Sequence, residues 1–443
     1  MALLLAFLPA AVAGVIQDGI LERRLMPALK PALLWRALCS RERHSGREGE
    51  VVTKTRTGLI TPSTRAEALR TPGTDPGTLT RSVEQFSYQV APYGKSINVH
   101  LPSSYLAQEN KFLDDTQALT FHGAQSLGRM ARSAMLAAYR GGDTFTTDNP
   151  GSTVSVVVKD CAGFDTVVVN GRVVAVSSTN TLAVTIGGTA RLVSACVADD
   201  GSSPASGPGT LTITVALDYA QYDAVLRTDA PRVVRQSGRA TDRLIVSGDT
   251  PTIAYFRQAA AQLRMNNVPG LDGTIGGRYG CFVDAHVESA LMADSEFHSA
   301  IQAQGLTEPF ADGAMGDYMG IRFIRNTEMS ILAADSHYQS HIHESFMFGA
   351  DVAIEAYVPE AEFAREVPME GIASANHYKM PLDSDGALTF VARAPLDAAG
   401  EVMTLSWLAN LDWCVPTDVK ALSGTARHKR AVVIKTAGPA EGA

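Results

Sequence analysis

The sequence GGRYGCFVDAHVESALMADSEFHSAI, residues 276–301, changes its hydrophobic period at Asp284. Residues 279–283 form a short apolar run that follows glycines, which favours a buried strand. Asp284 is a suitable N-cap, because its carboxylate can accept a hydrogen bond from a backbone N–H of the first turn. Apolar residues then recur at helical spacing: Val287, Leu291 and Ile301. The sequence therefore predicts a strand followed directly by a helix, which Gly305 would end with a left-handed cap.

The residues that follow predict two more strands. GAMGDYMGIRFIRNTEMSIL, residues 313–332, begins as a loop spaced by glycines and resumes as a strand at 321–324. ESFMFGADVAIEAYV, residues 344–358, contains an aromatic strand that ends at Gly349. The predicted order is strand, helix, glycine-spaced loop, strand and Phe-Gly strand.

This order of elements, with its spacing, resembles the tailed-bacteriophage major capsid protein family. The resemblance covers roughly residues 1–140 and 219–443, and it is specific between about 250 and 350. Where members of the family often have His-Pro, this chain has Asp284-Ala285, and Asp also caps a helix. The matching residues are Met265 to Asn267, Pro269, Gly276, Gly277, Tyr279, Val283, Leu291, Asp294, Phe297, Gly313, Met315, Gly316, Gly320, Arg322 and Phe323.

The resemblance implies an α+β fold with an N-terminal arm, an extended loop, a peripheral domain and an axial α/β domain. The peripheral domain would hold a long spine helix and long β-strands. The resemblance also implies a major capsid protein that self-assembles through pentamers and hexamers into an icosahedral shell enclosing a phage double-stranded DNA genome. The protein would then be located in the virion capsid and, during assembly, in the host cytoplasm. The implied partners are other copies of the chain, with scaffolding, portal and decoration proteins as candidates, and no membrane.

Patterns along the chain divide it in a way that agrees with this fold. Residues 51–57 and 83–90 alternate on either side of a segment rich in Thr, Pro and Gly, which predicts a long two-stranded extension. Apolar residues between Pro102 and Gly141 follow a helical period. Residues 402–413 alternate as one long, half-buried strand. The predicted segments are an arm (1–50), an extended hairpin (51–100), a spine helix (101–147), an axial domain with connections (219–385) and C-terminal strands (386–443).

Within the predicted arm and the predicted axial domain, three local features are also expected. Residues 15–40 show a helical apolar stripe that prolines interrupt, and residues 41–50 are charged and expected to be exposed. Thr250-Pro251 is expected to open another helix, with Thr as N-cap and Pro at the first helical position, and that helix is expected to end at Asn266-Asn267.

Residues 148–218 have a different character from the rest of the chain. Between 151 and 217 there is no Glu, Gln, Met, Tyr or Trp, and short β-branched runs recur. Asn170-Gly171 and Gly187-Gly188 are tight hairpin signals between those runs. The predicted strands are 154–158, 166–169, 172–176, 181–186, 191–197 and 210–215. We interpret the segment as an inserted small β-sandwich, immunoglobulin-like in outline.

The net charge and the cysteine spacing argue against tight DNA binding and against a disulfide framework or a zinc site. The net charge is −8 and no run of Lys or Arg is present, so the chain should hold packaged DNA only weakly and without sequence specificity. The five cysteines are widely spaced, which argues for reduced thiols and against a disulfide framework or a zinc site.

The N-terminal sequence MALLLAFLPAAVAGVI supports a competing hypothesis. It looks like the apolar core of a signal peptide, although no basic residue precedes Arg23. Together with an immunoglobulin-like module, it would suit a secreted bacterial surface or adhesion protein. We prefer an arm that packs on a neighbouring copy, and an intact Met1 in the purified protein would distinguish the two.

One segment, HYQSHIHE, has spacing typical of a metal site. His337 and His341 would share a face if the segment were helical, and His341 and His343 would point the same way on a strand. The Glu that follows the first His in zincins is absent, since Tyr338 stands there. A surface zinc site and a polar, His-rich loop both remain open for this segment, which ends at Glu344. The sequence shows no P-loop and no nucleophile elbow, so it predicts no catalytic residue, no cofactor and no enzyme.

Overall fold

A computed structural model describes most of the chain. It covers residues 34–44, 51–57, 83–100, 111–169, 172–274, 276–297, 299, 314–359, 377–382, 386–393, 395, 401–418 and 427–440. The predicted arm before residue 34, the tip of the extended hairpin and the predicted cap at Gly305 lie outside the described residues. The described helices are α1 (Lys111–Arg140), α2 (Ile253–Met265) and α3 (Ala285–Ala293), with short 3₁₀ turns at Arg36–Leu38, Gln236–Gly238 and Asp242–Leu244.

Among the described residues, strands outnumber helices, and these strands form four sheets. In chain order they are β1 (Cys39–Arg43), β2 (Val51–Thr57), β3 (Val83–Gln89), β4 (Ala91–His100), β5 (Asp143–Phe145), β6 (Thr153–Val158), β7 (Thr166–Val169), β8 (Arg172–Ala175), β9 (Leu182–Ile186), β10 (Thr189–Ala198), β11 (Gly209–Leu217), β12 (Ala224–Arg227), β13 (Val233–Arg235), β14 (Tyr279–Val283), β15 (Ala314–Tyr318), β16 (Ile321–Arg325), β17 (Ile331–Leu332), β18 (His341–Phe348), β19 (Ala353–Tyr357), β20 (His377–Pro381), β21 (Leu388–Arg393), β22 (Val402–Cys414) and β23 (Ala431–Gly438).

The chain folds as two compact units. The first consists of the described parts of Met1–Thr53, Ser87–Ala134 and Ala353–Cys414. The second consists of the described parts of Lys54–Phe86, Met135–Val352 and Val415–Ala443.

The first unit is built around the long strand β22. Its sheet has the order β1-β19-β22-β21-β20, and β4 also pairs with β22. Buried and half-buried residues alternate along β22, as its sequence predicts. The buried side of β22, including Leu405 and Trp407, packs with Leu119 and Leu127 of α1. The predicted long strand and spine helix are therefore confirmed, whereas the pairing of β4 with β22 was not predicted.

The N-terminal end of the described chain is a strand, which corrects two predictions. Residues 39–43 pair in parallel with β19, so the helical stripe expected over 15–40 does not continue through this part. Arg41 and Arg43 are exposed as expected, but His44 is buried. Glu355 on β19 explains the attachment: its buried carboxylate accepts hydrogen bonds from Arg36 Nε at 2.8 Å and Nη2 at 2.5 Å. A buried carboxylate requires such a partner.

The second unit contains a seven-stranded mixed sheet of order β13-β23-β18-β14-β16-β15, with β17 paired to β18. The strand β14 leads directly into α3, as predicted. Asp284 caps α3, because its Oδ1 accepts a hydrogen bond from Val287 N at 2.7 Å. The predicted stripe of α2 is buried against this sheet: Ile253, Phe256, Ala260 and Leu263.

Asp294 changes the bounds of both helices from those predicted. The helix that starts after Asp284 ends at Ala293 instead of continuing past Ile301, and residues 295–297 are helical again. Asp294 causes the break, because its carboxylate accepts from Glu296 N at 3.0 Å and from Ile253 N at 2.9 Å. The second bond also makes α2 begin at Ile253 rather than at Pro251. Thr252 is at the N-cap position, but its hydroxyl is bonded to Gln236 instead.

The glycine-spaced loop is also partly a strand. β15 pairs antiparallel with β16, and Tyr318 lies opposite Ile321. The two residues between them, Met319 and Gly320, have φ of 49° and 81°. Positive φ at both central residues defines the type I′ hairpin turn, whose twist matches that of the strands.

The inserted segment contains all six predicted strands, within a few residues of their expected bounds. Four of them, β6, β9, β10 and β11, belong to a six-stranded sheet of order β5-β12-β9-β10-β11-β6, whereas β7 and β8 join β2 and β3 in a separate sheet. The immunoglobulin-like sandwich predicted for 148–218 is not confirmed. Two strands from outside the segment, β5 and β12, complete the larger sheet beside β9, and the β7–β8 hairpin pairs with β3 of the extended hairpin.

The two ends of this segment lie side by side at a tight crossing, which we call the neck. Gly142 O accepts a hydrogen bond from Arg227 N at 2.8 Å, and Phe145 pairs with Ala224. Gly142 has φ +83°, and a Cβ added there would lie 2.9 Å from the Cβ of Arg227. The buried Arg227 guanidinium donates to Gly163 O at 2.5 Å and Thr166 O at 2.7 Å. The neck therefore tolerates only glycine at 142.

Candidate functional site: buried charges and histidines of the second unit

Two strands of the second unit each carry a charge within an apolar run. Glu344 lies in HIHESFMF of β18, and Lys435 lies in AVVIKTAG of β23. The two strands are antiparallel neighbours, and Glu344 is directly opposite Lys435. Both side chains are buried. Because a buried charge is costly unless it is paired, each requires partners from elsewhere in the chain.

Those partners form a connected group, which we call the charge cluster. Arg140, in the last turn of α1, donates to Glu344 Oε2 at 2.9 Å and Oε1 at 3.1 Å. Lys435 Nζ lies 2.5 Å from Asp242 Oδ2 and 3.4 Å from Glu344 Oε1. Arg235 donates from Nε to Asp242 Oδ1 at 2.6 Å.

Further carboxylates complete the cluster. Arg235 Nη2 lies 2.9 Å from Asp143 Oδ2, and Arg140 Nη2 lies 4.0 Å from Asp160 Oδ2. The alternation of cation and carboxylate joins the end of α1, β5, β13, β18, β23 and the 3₁₀ turn Asp242–Leu244. The cluster therefore links elements that are far apart in sequence.

The surroundings lower the pKa of two carboxylates of the cluster and raise the pKa of a third. Burial raises the pKa of Glu344, but Arg140 and Lys435 outweigh it and hold that pKa below its usual value. The pKa of Asp242 is likewise depressed, because Lys435 and Arg235 outweigh its burial. Burial raises the pKa of Asp143 more than Arg235 lowers it. The Glu344 and Asp242 carboxylates are thus ionised at neutral pH.

The cluster is suited to holding structure together rather than to chemistry on a substrate. The cavity lined by Arg140, Asp143, Asp242, Tyr338 and Lys435 has a volume of only about 20 Å³. Ligand pockets are typically some hundreds of Å³, so no substrate fits here. A larger surface depression of about 440 Å³ beside α2 has no carboxylate, His or Cys among its lining residues. Neither place offers an acid, a base or a nucleophile next to space for a ligand.

The histidines of the segment HYQSHIHE make different contacts in the structure. It is not a helix, since β18 begins only at His341. The two nitrogens of the buried His343 are both engaged, with Nδ1 2.5 Å from Asp284 Oδ2 and Nε2 3.0 Å from Pro439 O. His341 Nδ1 lies 3.3 Å from Ala334 N, and the ring of His337 packs edge-on against Tyr222.

The geometry therefore does not favour metal binding at this segment. Over the part of the chain that the structure describes, no three His, Cys, Asp or Glu side chains converge as a metal site would require. The pKa of His343 is raised, because its bond to Asp284 outweighs the effect of burial. His343 and Asp284 instead tie β18 to the start of α3.

All five cysteines are free thiols. Burial, followed by the nearby Glu355, raises the pKa of Cys39 to about 12, and burial alone raises that of Cys281. A thiol of raised pKa is a poor nucleophile at neutral pH.

In the described part of the chain, no helix is both long enough and apolar enough to cross a membrane.

Sequence reasoning singled out Glu344 as part of a possible metal segment and missed the rest of the cluster. No sequence pattern marks Arg140, Lys435 or Asp242 as partners of Glu344. The available signal was a single charge inside an otherwise apolar strand, as at Glu344, Lys435 and Glu355. Such a residue predicts a buried ion pair, although it does not identify the partner.

Comparison with known proteins shows which architecture these elements form. No family model matches the sequence, and no curated protein matches it. The structure is similar to the capsid of Ralstonia phage GP4, with a TM-score of 0.50 at 10% identity over 93% of this chain and 90% of that chain. The chain has the fold of a phage capsid protein. A weaker similarity is to the cyanophage Pam1 capsid asymmetric unit, with a TM-score of 0.46, 13% identity, and coverage of 90% and 89%.

The capsid fold that the sequence resemblance implied is thus confirmed over most of the chain. At this level of sequence identity the likeness concerns architecture. The charge cluster and the neck lie within that architecture, and both fix how distant segments of the second unit meet.

Proposed function

We propose that this chain is a major capsid protein that self-assembles through pentamers and hexamers into an icosahedral shell around a phage double-stranded DNA genome. The observation that carries the proposal is the similarity to the GP4 capsid, which extends over 93% of this chain and 90% of that one. Nearly full coverage of both chains means that the shared architecture is not limited to one common motif.

The charge of the chain supports a container rather than a DNA-binding protein. Tight binding to phosphates requires a basic face, because the release of counterions drives it. This chain has a net charge of −8, and the basic residues Arg235 and Lys435 are buried in ion pairs rather than presented to a ligand, while Arg140 is partly buried in another. A wall of this composition would contact packaged DNA weakly and without sequence specificity.

The extended hairpin supports assembly from many copies. The strands β2 and β3 are neighbours in one sheet, and β2 alternates between exposed and half-buried residues with none fully buried. In the four-stranded sheet β2-β3-β8-β7, β2 is the outer strand, and an outer strand gains from a partner surface. We propose that the extended hairpin and the arm preceding it contact adjacent copies.

The proposal also assigns the remaining segments. Residues 1–50 would form the arm, 51–100 the extended hairpin, 101–147 and 386–443 the peripheral domain, and 219–385 the axial domain. Residues 148–218 would be an inserted module that projects from the outer face and contributes contacts without determining closure. The proposed partners are other copies and, as candidates, scaffolding, portal and decoration proteins. The proposed locations are the virion capsid and, during assembly, the host cytoplasm.

Expression of the full chain tests the proposal directly. Sedimentation and negative-stain microscopy should show closed particles or capsomers, because repeated contacts that close by symmetry avoid open fibres. Intact-mass measurement should find Met1 or its simple excision rather than removal of the apolar N-terminal run. A chain that stays monomeric at high concentration under every assembly condition would refute the proposal.

A further inference from the structure

Two cysteines of the inserted segment meet at one edge of its core. Cys161 lies in the connection between β6 and β7, and Cys196 lies near the end of β10. Cys161 is fully buried in the core of the inserted segment, and the half-buried Cys196 packs against the same core. The two residues are 35 positions apart in sequence, so the fold rather than the local sequence brings them together.

The side chains of these two cysteines approach each other closely. Cys196 Sγ lies 3.9 Å from Cys161 O, and Cys161 Sγ lies 3.8 Å from the carbonyl oxygen of Val197, the residue after Cys196. The two thiols are also within hydrogen-bonding range of each other. A disulfide brings its sulfur atoms to about 2 Å, so thiols already in contact need only a small further approach.

The backbone on both sides of the pair is held in place. Cys161 N donates a hydrogen bond to Gly207 O at 2.7 Å, and Gly207 N donates to Asp160 Oδ1 at 3.0 Å. Cys196 is paired with Leu211 in the ladder between β10 and β11. Because both backbones are fixed, the two sulfur atoms stay neighbours, and a reaction between them is favoured over a reaction with another molecule.

We propose that Cys161 and Cys196 form a redox-sensitive pair, which a small organic disulfide converts into a disulfide bond within the chain. The half-buried Cys196 is the thiol that the oxidant reaches, and its thiolate attacks one sulfur of the oxidant. That step forms a mixed disulfide and releases one small thiolate. The thiolate of Cys161 then attacks Cys196 Sγ and releases the second. The protein loses two protons and two electrons, and the electrons reduce the oxidant to two thiols.

The surroundings of the pair determine how fast this exchange is. The hydrogen bond to Cys161, followed by burial, raises the pKa of Cys196, and Asp165 and Asp160 contribute in the same direction. Little thiolate is therefore present at neutral pH, so the exchange is slow there and becomes faster as the pH rises. In reducing surroundings the thiols persist.

The disulfide would fasten the connection after β6 to β10. Joining two positions 35 residues apart restricts the unfolded chain, which stabilises the folded inserted segment. The bond forms within one subunit, so the inference does not depend on the proposed function.

The test uses the full chain and an uncharged oxidant, bis(hydroxyethyl) disulfide, because Asp160 and Asp165 disfavour an anionic one. The folded chain is incubated at about pH 7 and about pH 9. It is then denatured, its free thiols are alkylated, and it is digested without reduction. Mass spectrometry should find a peptide that joins Cys161 to Cys196, formed faster at the higher pH. The intact chain should lose the mass of two hydrogen atoms and remain a single chain on a non-reducing gel.

Thermal unfolding measures the effect of the bond. Oxidation should raise the midpoint by about 5–10 °C, and dithiothreitol should reverse the change. Cys196→Ala should abolish both the joined peptide and the shift. Cys414→Ala is the matched control, since it removes another half-buried thiol, whose Sγ lies 3.6 Å from Ser87 O, and it should retain both effects.

Several results would overturn the proposal. They are a stable adduct at Cys196 that does not pass to Cys161, alkylation of both thiols after incubation, and a bond from either cysteine to another chain. An oxidised chain that melts with the reduced one, or an equal shift in Cys196→Ala, would also overturn it, because the bond would then not fasten the inserted segment.

Discussion

The charge cluster yields a sharp test of how the second unit is held together. Glu344→Gln keeps the shape of the side chain but removes the charge that Arg140 and Lys435 share. Removing one partner of a buried pair leaves uncompensated charge and costs about 3–5 kcal/mol. The matched control is Glu296→Gln, whose pair with Arg257 is 49% and 46% exposed, compared with 0% for Glu344. An exposed pair contributes at most about 1 kcal/mol.

Urea denaturation followed by far-UV circular dichroism measures the difference. With a slope of about 3 kcal/mol per M, Glu344→Gln should lower the midpoint by about 1–1.7 M, and Glu296→Gln by about 0.3 M or less. Added salt should not remove the effect at Glu344, because buried pairs are screened less than exposed ones. Equal midpoints for the two variants would refute the reasoning that the cluster stabilises the unit.

The pH dependence of the same variant has a definite sign. The pKa of Glu344 in the folded chain lies below its ordinary value of 4.5. Its contribution is therefore present above pH 4.5 and is lost as the pH falls through the folded-state pKa. Wild type and Glu344→Gln should differ most near neutral pH and converge under acid. A difference that grows on acidification would contradict the assignment of Glu344 as a paired carboxylate.

Three further predictions concern the module, the hairpin and a buried histidine. Replacing residues 148–218 by a short Gly-Ser linker should leave particles able to form, with lower thermal stability; complete loss of particles would place the module in the assembly core. Deleting residues 62–76 should abolish particles, seen by sedimentation, while the melting of the unassembled chain stays nearly unchanged; normal particles would show that the hairpin is only a surface loop. Burial, with Arg427 and Arg227 nearby, lowers the pKa of His428 to about 3, so wild type should lose stability as the pH falls from about 6.5 to 3. Acid-denaturation curves of His428→Gln should show a smaller loss of stability over this pH range. An equal loss in the variant would exclude His428 as its source.

Local sequence patterns predicted much of the fold. The strands of the inserted module were predicted closely, because β-branched runs and hairpin turns are decided by neighbouring residues. The cap at Asp284 was predicted for the same reason. The break at Asp294 was not, because it depends on a bond to Ile253, 41 residues away in sequence. The apolar spacing of a segment predicts a helix, but it does not show that one of its carboxylates is hydrogen-bonded to the start of another helix.

The charge cluster was beyond the reach of sequence patterns for a related reason. Arg140 and Glu344 are separated by 204 residues, and Lys435 and Asp242 by 193. Each residue taken alone suggests either a solvated charge or a functional group. Only the register of β18 against β23, and the position where α1 ends, decides that they pair. The ion pair between Arg36 and Glu355 could not be predicted from the sequence either. It helps to attach a strand where the sequence predicted a helix.

The neck has a consequence for how this chain could change over time. The module leaves and re-enters through β5 and β12, which are hydrogen-bonded neighbours, so the Cα atoms of Phe145 and Ala224 lie about 5 Å apart. A replacement domain would need similarly close termini and a strand that pairs with β12 in place of β9. It would also need carbonyl groups to accept the hydrogen bonds that Arg227 now donates to Gly163 and Thr166. This position is therefore where lineages sharing the framework could exchange whole domains, and where a foreign domain could be grafted for display.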